Sequence, residues 1–222
     1  MKETGNFYTP EEVKQLYEQI IPIYQSAFAG EPWFEVSKCE DSEVIKRCLG
    51  GFSSLSTGEL CQLCMNRLTR PAYEQAELVE VFDKLAKTRP TAWYLEGFGQ
   101  ELILAAVTWS ANVETIADEK YQGDSKIKTW MREKLGTEPI IWLDDIFADK
   151  RKRPDGNLKN FRSICMGFAL RLQGNTVAYR TINERMLRAP IRDFGNNCKI
   201  FRGNIDVPDR RHFVVINLGG QK

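Results

Sequence analysis

The stretch that most constrains this chain runs from Ile140 to Leu172, IIWLDDIFADKRKRPDGNLKNFRSICMGFALRL. It opens as an apolar strand carrying two acids, Asp144 and Asp145, passes through a basic loop with Gly156 near its end, and continues with apolar residues at helical spacing. A strand, a loop rich in backbone amides and a helix start together make an anion site. The first N–H groups of a helix have no partner inside it, and its N-terminal end carries partial positive charge. A phosphate or pyrophosphate satisfies both. The plain alternative is an ordinary strand-to-helix connection with a solvated charged turn, and the order of the flanking elements separates the two.

Upstream, Thr9-Pro10-Glu11-Glu12 is a helix start with capping-box spacing. Val13, Leu16, Tyr17, Ile20, Ile21 and Tyr24 continue it at helical spacing toward Ala29-Gly30, with a kink expected at Pro22. Phe28 and Trp33 then either wall a binding site or cap the core. Residues 71–87 place Ala72, Leu78, Val81, Phe82 and Leu85 on one helical face. Two β-rich runs, 91–96 and 101–109, joined at Gly97-Phe98-Gly99-Gln100, read as a hairpin; the second is apolar at nearly every position and so covered on both faces. Residues 112–136 read as one or two helices inserted between strands. Beyond the central stretch, Asn157 is placed to cap a helix carrying Leu158, Phe161, Ile164, Cys165, Phe168 and Leu172. Residues 176–182 form a short strand, Asn183 opens a helix that Pro190 interrupts, and 198–201 and 212–218 are closing strands. The expectation is an α/β (α+β mixed sheet) fold in a single domain over residues 1–222, a length that buries a sizeable core.

Residues 36–70 break this pattern. Cys39, Cys48, Cys61 and Cys64 lie there among glycines and hydroxyl residues with little periodicity, in a stretch that burial alone could hardly hold together. Cys61-x-x-Cys64 is the spacing at which two thiolates of one turn reach a tetrahedral Zn(II), and Cys39 and Cys48 supply a second pair. Four thiolates leave no open position, so such a metal is structural. Reduced structural thiols are the alternative; a redox pair lacks the strand that should precede it. Cys165 and Cys198 stand in apolar stretches and read as core thiols, and the lone His212 at a strand start reads as structural.

Charge excludes some functions. The net charge is +1, and the only basic run is Lys150 to Arg153, so no global field draws the chain to nucleic acid or lipid. A zinc-dependent nucleic-acid module, the third reading, is opposed by that balance and by Glu40, Asp41 and Glu43 in the insertion. No apolar run approaches the roughly 20 residues that span a bilayer, and MKETGNFYTPEEV lacks a signal-peptide core, so a cytoplasmic location is expected. No Gly-x-Ser-x-Gly elbow suggests a serine hydrolase.

Arg153-Pro154-Asp155-Gly156-Asn157-Leu158 resembles the coenzyme A signature of the GNAT superfamily of acyl-CoA N-acyltransferases, Gln/Arg-x-x-Gly-x-Gly/Ala, matching at Arg153 and Gly156. Leu158 stands where that family has Gly or Ala, and Ala148 and Lys150 where it often has Val and Pro. The element order from residue 9 onward also resembles that fold, with a cysteine-rich insertion at about 36–70. The resemblance implies splayed central strands flanked by helices, with 140–148 and 176–182 as the two arms and acyl-CoA, acetyl-CoA first, between them. Ile146, Phe147 and Ala148 then hold the pantetheine arm and supply an oxyanion amide, Arg151, Arg153, Asp155, Gly156, Asn157 and Leu158 surround the pyrophosphate, and Asn183 ends the second arm. The family's Tyr seven positions later, which protonates the leaving thiolate, is Pro190 here.

An ammonium must lose a proton before its nitrogen can attack a thioester, and a carboxylate near the splay can take it. Asp144 and Asp145 lie where the family often has a basic Glu. Strand alternation sends them to opposite faces, so one faces the cleft, and Asp145, sharing a face with Phe147, is the choice. The implied activity is acyl transfer to a small-molecule or peptide amine, with a homodimer left open and no membrane or nucleic-acid partner. A degenerate relative that binds CoA or a protein partner without catalysis is the second reading, suggested by Leu158 and Pro190.

Overall fold

The computed structural model describes residues 4–29, 35–39, 52–53, 56–61, 64–65, 68–98, 101–149, 160–181, 183–201 and 211–219. In chain order its elements are β1 (Thr4–Tyr8), α1 (Pro10–Lys14), α2 (Tyr17–Ala29), β2 (Ser37–Cys39), β3 (Phe52–Ser53), β4 (Thr69–Pro71), α3 (Gln75–Thr88), β5 (Thr91–Phe98), β6 (Glu101–Ala111), α4 (Val113–Tyr121), α5 (Ser125–Leu135), β7 (Ile140–Ala148), α6 (Phe161–Leu172), β8 (Thr176–Thr181), α7 (Glu184–Phe194), β9 (Cys198–Phe201) and β10 (His212–Asn217). No helix among the described residues is long and apolar enough to cross a membrane.

The main sheet has seven strands in the order β1-β5-β6-β7-β8-β10-β9, and the insertion forms a separate sheet, β3-β2-β4. All neighbours in the main sheet are antiparallel except β7 and β8. Antiparallel neighbours need only short turns, whereas the parallel pair needs a crossover, which α6 supplies. One face of the sheet carries Tyr94, Leu104, Ala106, Ile141, Leu143, Val177 and Val214 against Phe161, Ile164, Cys165 and Phe168 of α6 and Met186, Leu187 and Phe194 of α7. The opposite face packs Trp93, Leu95, Val107 and Phe147 on α2 and α3, and Trp109, Ile140, Trp142, Ala178 and Phe213 on α4 and α5. Ile103 to Val107 and Trp109 are buried, as an apolar strand covered on both sides requires.

Thr9 caps α1 as its sequence predicts: Thr9 N–H donates to Glu12 Oε2 at 2.8 Å, and Glu12 N–H returns to Thr9 Oγ1 at 3.4 Å. The strand before it, β1, has no counterpart in the sequence expectation. Its Phe7 lies over α6 at Gly167, where an added Cβ would stand 1.9 Å from the ring, so a side chain there would push the strand off the helix.

Four local expectations are corrected. The first helix breaks after Lys14, with Leu16 N–H on Val13 O at 2.8 Å, and not at Pro22; Pro22 sits exposed inside α2, where the Glu18 carbonyl that loses its partner can turn to water. The α3 face consists of Leu78, Phe82 and Leu85, while Val81 is 57% exposed and Ala72 precedes the helix. Helix α6 starts at Phe161 with Asn160 as its N-cap, later than expected, and Asn157 lies outside the described residues. Pro190 does not interrupt α7. A proline leaves the carbonyl four residues back without its helical donor, and that carbonyl, Met186 O, accepts the Tyr179 hydroxyl at 2.7 Å.

Candidate active site

Among the described residues, β7 and β8 pair only at Ile141 with Val177 and Trp142 with Ala178. Beyond that rung β7 runs on to Ala148 and β8 to Thr181 without pairing, so the two arms part as a wedge. On its other edge β7 stays bonded to β6, but with a slip: Val107 faces Asp145 and Thr108 faces Leu143, leaving Asp144 as the extra residue of a bulge. Thr108 Oγ1 donates to the Trp142 carbonyl at 2.7 Å inside this irregular rung.

The bulge overturns the expectation that Asp144 and Asp145 point to opposite faces. A period of two is broken by one residue, so both carboxylates emerge on the face covered by α2 and α4. Asp144 pairs with Lys120 of α4 and accepts from Trp142 Nε1 at 3.1 Å. Asp145 accepts the hydroxyl of Tyr24, from α2, at 3.2 Å. The two acids and both arms line one cavity of about 260 Å³.

Burial, and then the neighbouring Asp144 charge, push the Asp145 carboxyl up to about 7, against the opposing pull of Lys120 and of the Tyr24 hydrogen bond. Burial and the Asp145 charge hold Tyr24 well above the usual tyrosine range, so it is a permanent donor at neutral pH. A third acid, Glu35, also lines the cavity and accepts the Tyr73 hydroxyl. Burial raises the Glu35 carboxyl, while that hydrogen bond and Arg211 oppose the rise; burial and Glu35 raise Tyr73. Phe28 stacks at 4.5 Å on Tyr24, which meets Tyr73 edge-on at 5.1 Å, so the acids sit in an aromatic enclosure.

Of the other residues singled out in the sequence, Asn183 lines the cavity and caps α7, its side chain accepting from Arg185 N–H at 3.0 Å. Ile146 lines the cavity and, with Ala148, packs toward the α6 side, while Phe147 lies 4.9 Å from Tyr24 on the opposite one. Arg151, Arg153, Asp155, Gly156, Asn157, Leu158 and Lys150 lie outside the described residues, as do Trp33 and Cys48. The Sγ atoms of Cys39, Cys61 and Cys64 come together within 4.8 Å of one another. Cys165 is buried and Cys198 half-buried, neither in a disulfide. Tyr24, Glu35, Tyr73 and Arg211 are site residues that the sequence did not disclose. Tyr24 matches the apolar stripe of its helix, and Glu35 and Tyr73 flank the insertion with no local pattern to join them.

Replacing Tyr24 by Phe removes a hydrogen bond that favours the ionised Asp145. The midpoint of Asp145 ionisation is expected to move to higher pH, by about one to two pH units, since hydrogen bonds to charged groups contribute about 1.5–3 kcal/mol. A carbon-13 titration of the aspartate carboxyls, or the acid limb of a pH–rate profile, reads the shift. A downward shift contradicts the geometry.

No family model matches the sequence, and no curated protein matches it. Solved structures do match over nearly the whole chain. A polyamine N-acetyltransferase of Drosophila melanogaster that catalyses formation of N-acetylagmatine is 12% identical, with a TM-score of 0.51 over 97% of this chain and 98% of that one. An arylalkylamine N-acetyltransferase-like protein of a mosquito is 9% identical, with a TM-score of 0.55 over 98% and 100%. A histone acetyltransferase and related acetyltransferase from Corynebacterium glutamicum is 10% identical, with a TM-score of 0.53 over 100% and 99%. The chain therefore has the fold of the GNAT N-acetyltransferases, a mixed sheet opened between two central arms.

Proposed function

We propose that this protein is an acyl-CoA-dependent N-acyltransferase that moves an acetyl group from acetyl-CoA to a small primary amine, with Asp145 as the general base. The observation that carries the reading is the carboxylate pair at the β7 bulge, inside the wedge and with one member poised near neutrality. A base works best when its pKa lies near the operating pH. The acids Glu35, Asp144 and Asp145 attract an ammonium, and the rings of Tyr24, Phe28 and Tyr73 hold its hydrocarbon part. A cavity of about 260 Å³ suits a small amine beside a thioester better than a folded protein tail.

In this scheme the ammonium passes a proton to the Asp145 carboxylate, directly or through one water. The freed nitrogen attacks the thioester carbonyl, whose oxygen takes the negative charge against a main-chain N–H of Ile146 to Ala148. Collapse of the adduct breaks the carbon–sulfur bond and expels the thiolate. The nitrogen sheds its second proton through water to the thiolate, whose ordinary basicity of about 8.5 is enough to take it, which fits a chain with buried Pro190 where the resembled family carries Tyr. Arg151, Arg153, Asp155, Gly156, Asn157 and Leu158 would receive the pyrophosphate ahead of α6, with Asn183 on the second arm. On this reading the chain acts as one domain in the cytoplasm, with acetyl-CoA as co-substrate and a structural Zn(II) in the cysteine insertion.

The test is thiol release from acetyl-CoA across a panel of aliphatic and arylalkyl amines, with thermal shift by acetyl-CoA alone. Amine-dependent release with stabilisation by acetyl-CoA is expected. Stabilisation without release to any amine favours the second reading, a CoA-binding protein without catalysis, toward which Pro190 points. Absence of both stabilisation and release overturns the proposal.

A further inference from the structure

The cysteine insertion has a core of its own. Among the described residues it consists of Cys39, 1% exposed, Cys61, 5% exposed, and the partly buried Cys64. The strands around it are three, two and three residues long, too short to hold a sheet by apolar burial. Something else has to fasten them. Cys61 and Cys64 come from one turn, closed by Met65 N–H on Cys61 O at 2.8 Å. Met65 takes a φ of 53°, a left-handed conformation uncommon for a residue with a side chain. Thr69, opposite Cys39 in the β2–β4 register, anchors the preceding loop, its hydroxyl reaching Ser56 O at 2.8 Å and Glu59 O at 3.0 Å. The result is three thiols converging from two segments.

We infer that Cys39, Cys61 and Cys64 bind Zn(II) as thiolates and that the bound ion fixes the acceptor wall of the active site; the second half rests on the transferase reading. Thiolates about 2.3 Å from a tetrahedral zinc stand about 3.8 Å apart, and Cys39 Sγ lies 3.8 Å from Cys64 Sγ. Binding releases the thiol protons and fills three of the four tetrahedral positions. Cys48, the fourth thiol of the sequence expectation, lies outside the described residues.

The link to the active site runs along the β2–β4 pair. Its thiol end is Cys39 opposite Thr69, and its other end is Ser37 opposite Pro71. There Ala72 N–H donates to Val36 O at 3.1 Å, and the two residues just outside, Glu35 and Tyr73, meet by hydrogen bond in the cavity wall. Glu35 N–H reaches Phe28 O at 2.8 Å and Gln25 Nε2 reaches Tyr73 O at 2.7 Å, tying both to α2. Lys38 and Arg70 hold the pair to Glu77 of α3, at 2.8 and 2.6 Å. A metal at the thiol end clamps the pairing register, and the register sets where Glu35 and Tyr73 stand.

The experiment uses the full chain. Metal analysis of purified protein should find about one zinc per chain, and replacement by Co(II) should give thiolate-to-cobalt charge-transfer absorption, lost in Cys61→Ser and kept in Cys165→Ser. Chelation should speed hydrogen exchange at the Glu35 and Ala72 amides at least tenfold and leave the amides of β6 unchanged. With an active enzyme it should raise KM for the amine about tenfold without changing KM for acetyl-CoA. A wild-type chain that carries no zinc and takes up no cobalt overturns the metal site, as does full absorption in Cys61→Ser. Zinc with unaltered exchange at Glu35 and Ala72 overturns the coupling. The metal, absorption and exchange readouts need no turnover, so they stand apart from success or failure of the transferase reading.

Discussion

Asp145→Asn is expected to lower kcat/KM for amine acetylation by about 10²–10⁴-fold, the usual contribution of a positioned general base, while making the protein more stable. Both effects have one cause. The folded protein holds the Asp145 carboxyl up to about 7, above its ordinary carboxylate range, because burial and Asp144 oppose the ionised form. The unfolded chain releases this proton at about 3.9. Between those values the native state binds more protons than the unfolded state, so stability falls as pH rises from about 4 to about 7. Asn still accepts from Tyr24 and carries no charge beside Asp144. Its gain at neutral pH should be up to about 4 kcal/mol, a rise in Tm of up to roughly 8–16 °C, vanishing below pH 4. Initial rates and thermal melts at pH 4 and 8 read both. An active variant, or one less stable at both pH values, contradicts the assignment.

Trp142→Ala is expected to cost about 3–5 kcal/mol, as truncation of a buried Trp does, and to lower Tm by roughly 6–20 °C. Trp142 belongs to the last paired rung between β7 and β8, facing Ala178. Its ring lies 5.8 Å from Phe213 and 6.3 Å from Trp109, and its Nε1 donates to Asp144. One residue thus closes the apex of the wedge, packs α4 and α5 against the sheet and steadies the bulge. Trp142→Phe keeps most of the packing and should cost under about 1.5 kcal/mol, while it takes the indole donor from Asp144. Urea denaturation of the two variants separates packing from hydrogen bonding. Equal losses in both would mean that the ring does not bear the apex.

The strongly periodic parts of this sequence could be read because burial on one face leaves a regular imprint. The hairpin of β5 and β6, the paired helices α4 and α5, and the strand–crossover–strand of β7, α6 and β8 all lie where their apolar spacing places them. Features that depend on a partner distant in sequence left no imprint. β1 is held by pairing with β5 and by Phe7 over Gly167, and nothing within five residues announces either contact. Pro190 reads as a helix breaker until Tyr179 is seen to take the freed carbonyl. The same limit governs the candidate site. Asp144 and Asp145 were visible as acids in an apolar strand, but their shared face follows from a bulge set by β6. Glu35 and Tyr73 are 38 positions apart and meet through the insertion.

If the opening between β7 and β8 receives acetyl-CoA, amide NMR of the nitrogen-15-labelled protein titrated with acetyl-CoA will show it. Saturable shifts are expected to concentrate at Leu143 to Ala148 on one arm and Tyr179 to Asn183 on the other, with β1 and β9 undisturbed. Saturable shifts elsewhere with both arms silent, or no shifts at millimolar acetyl-CoA, would contradict it.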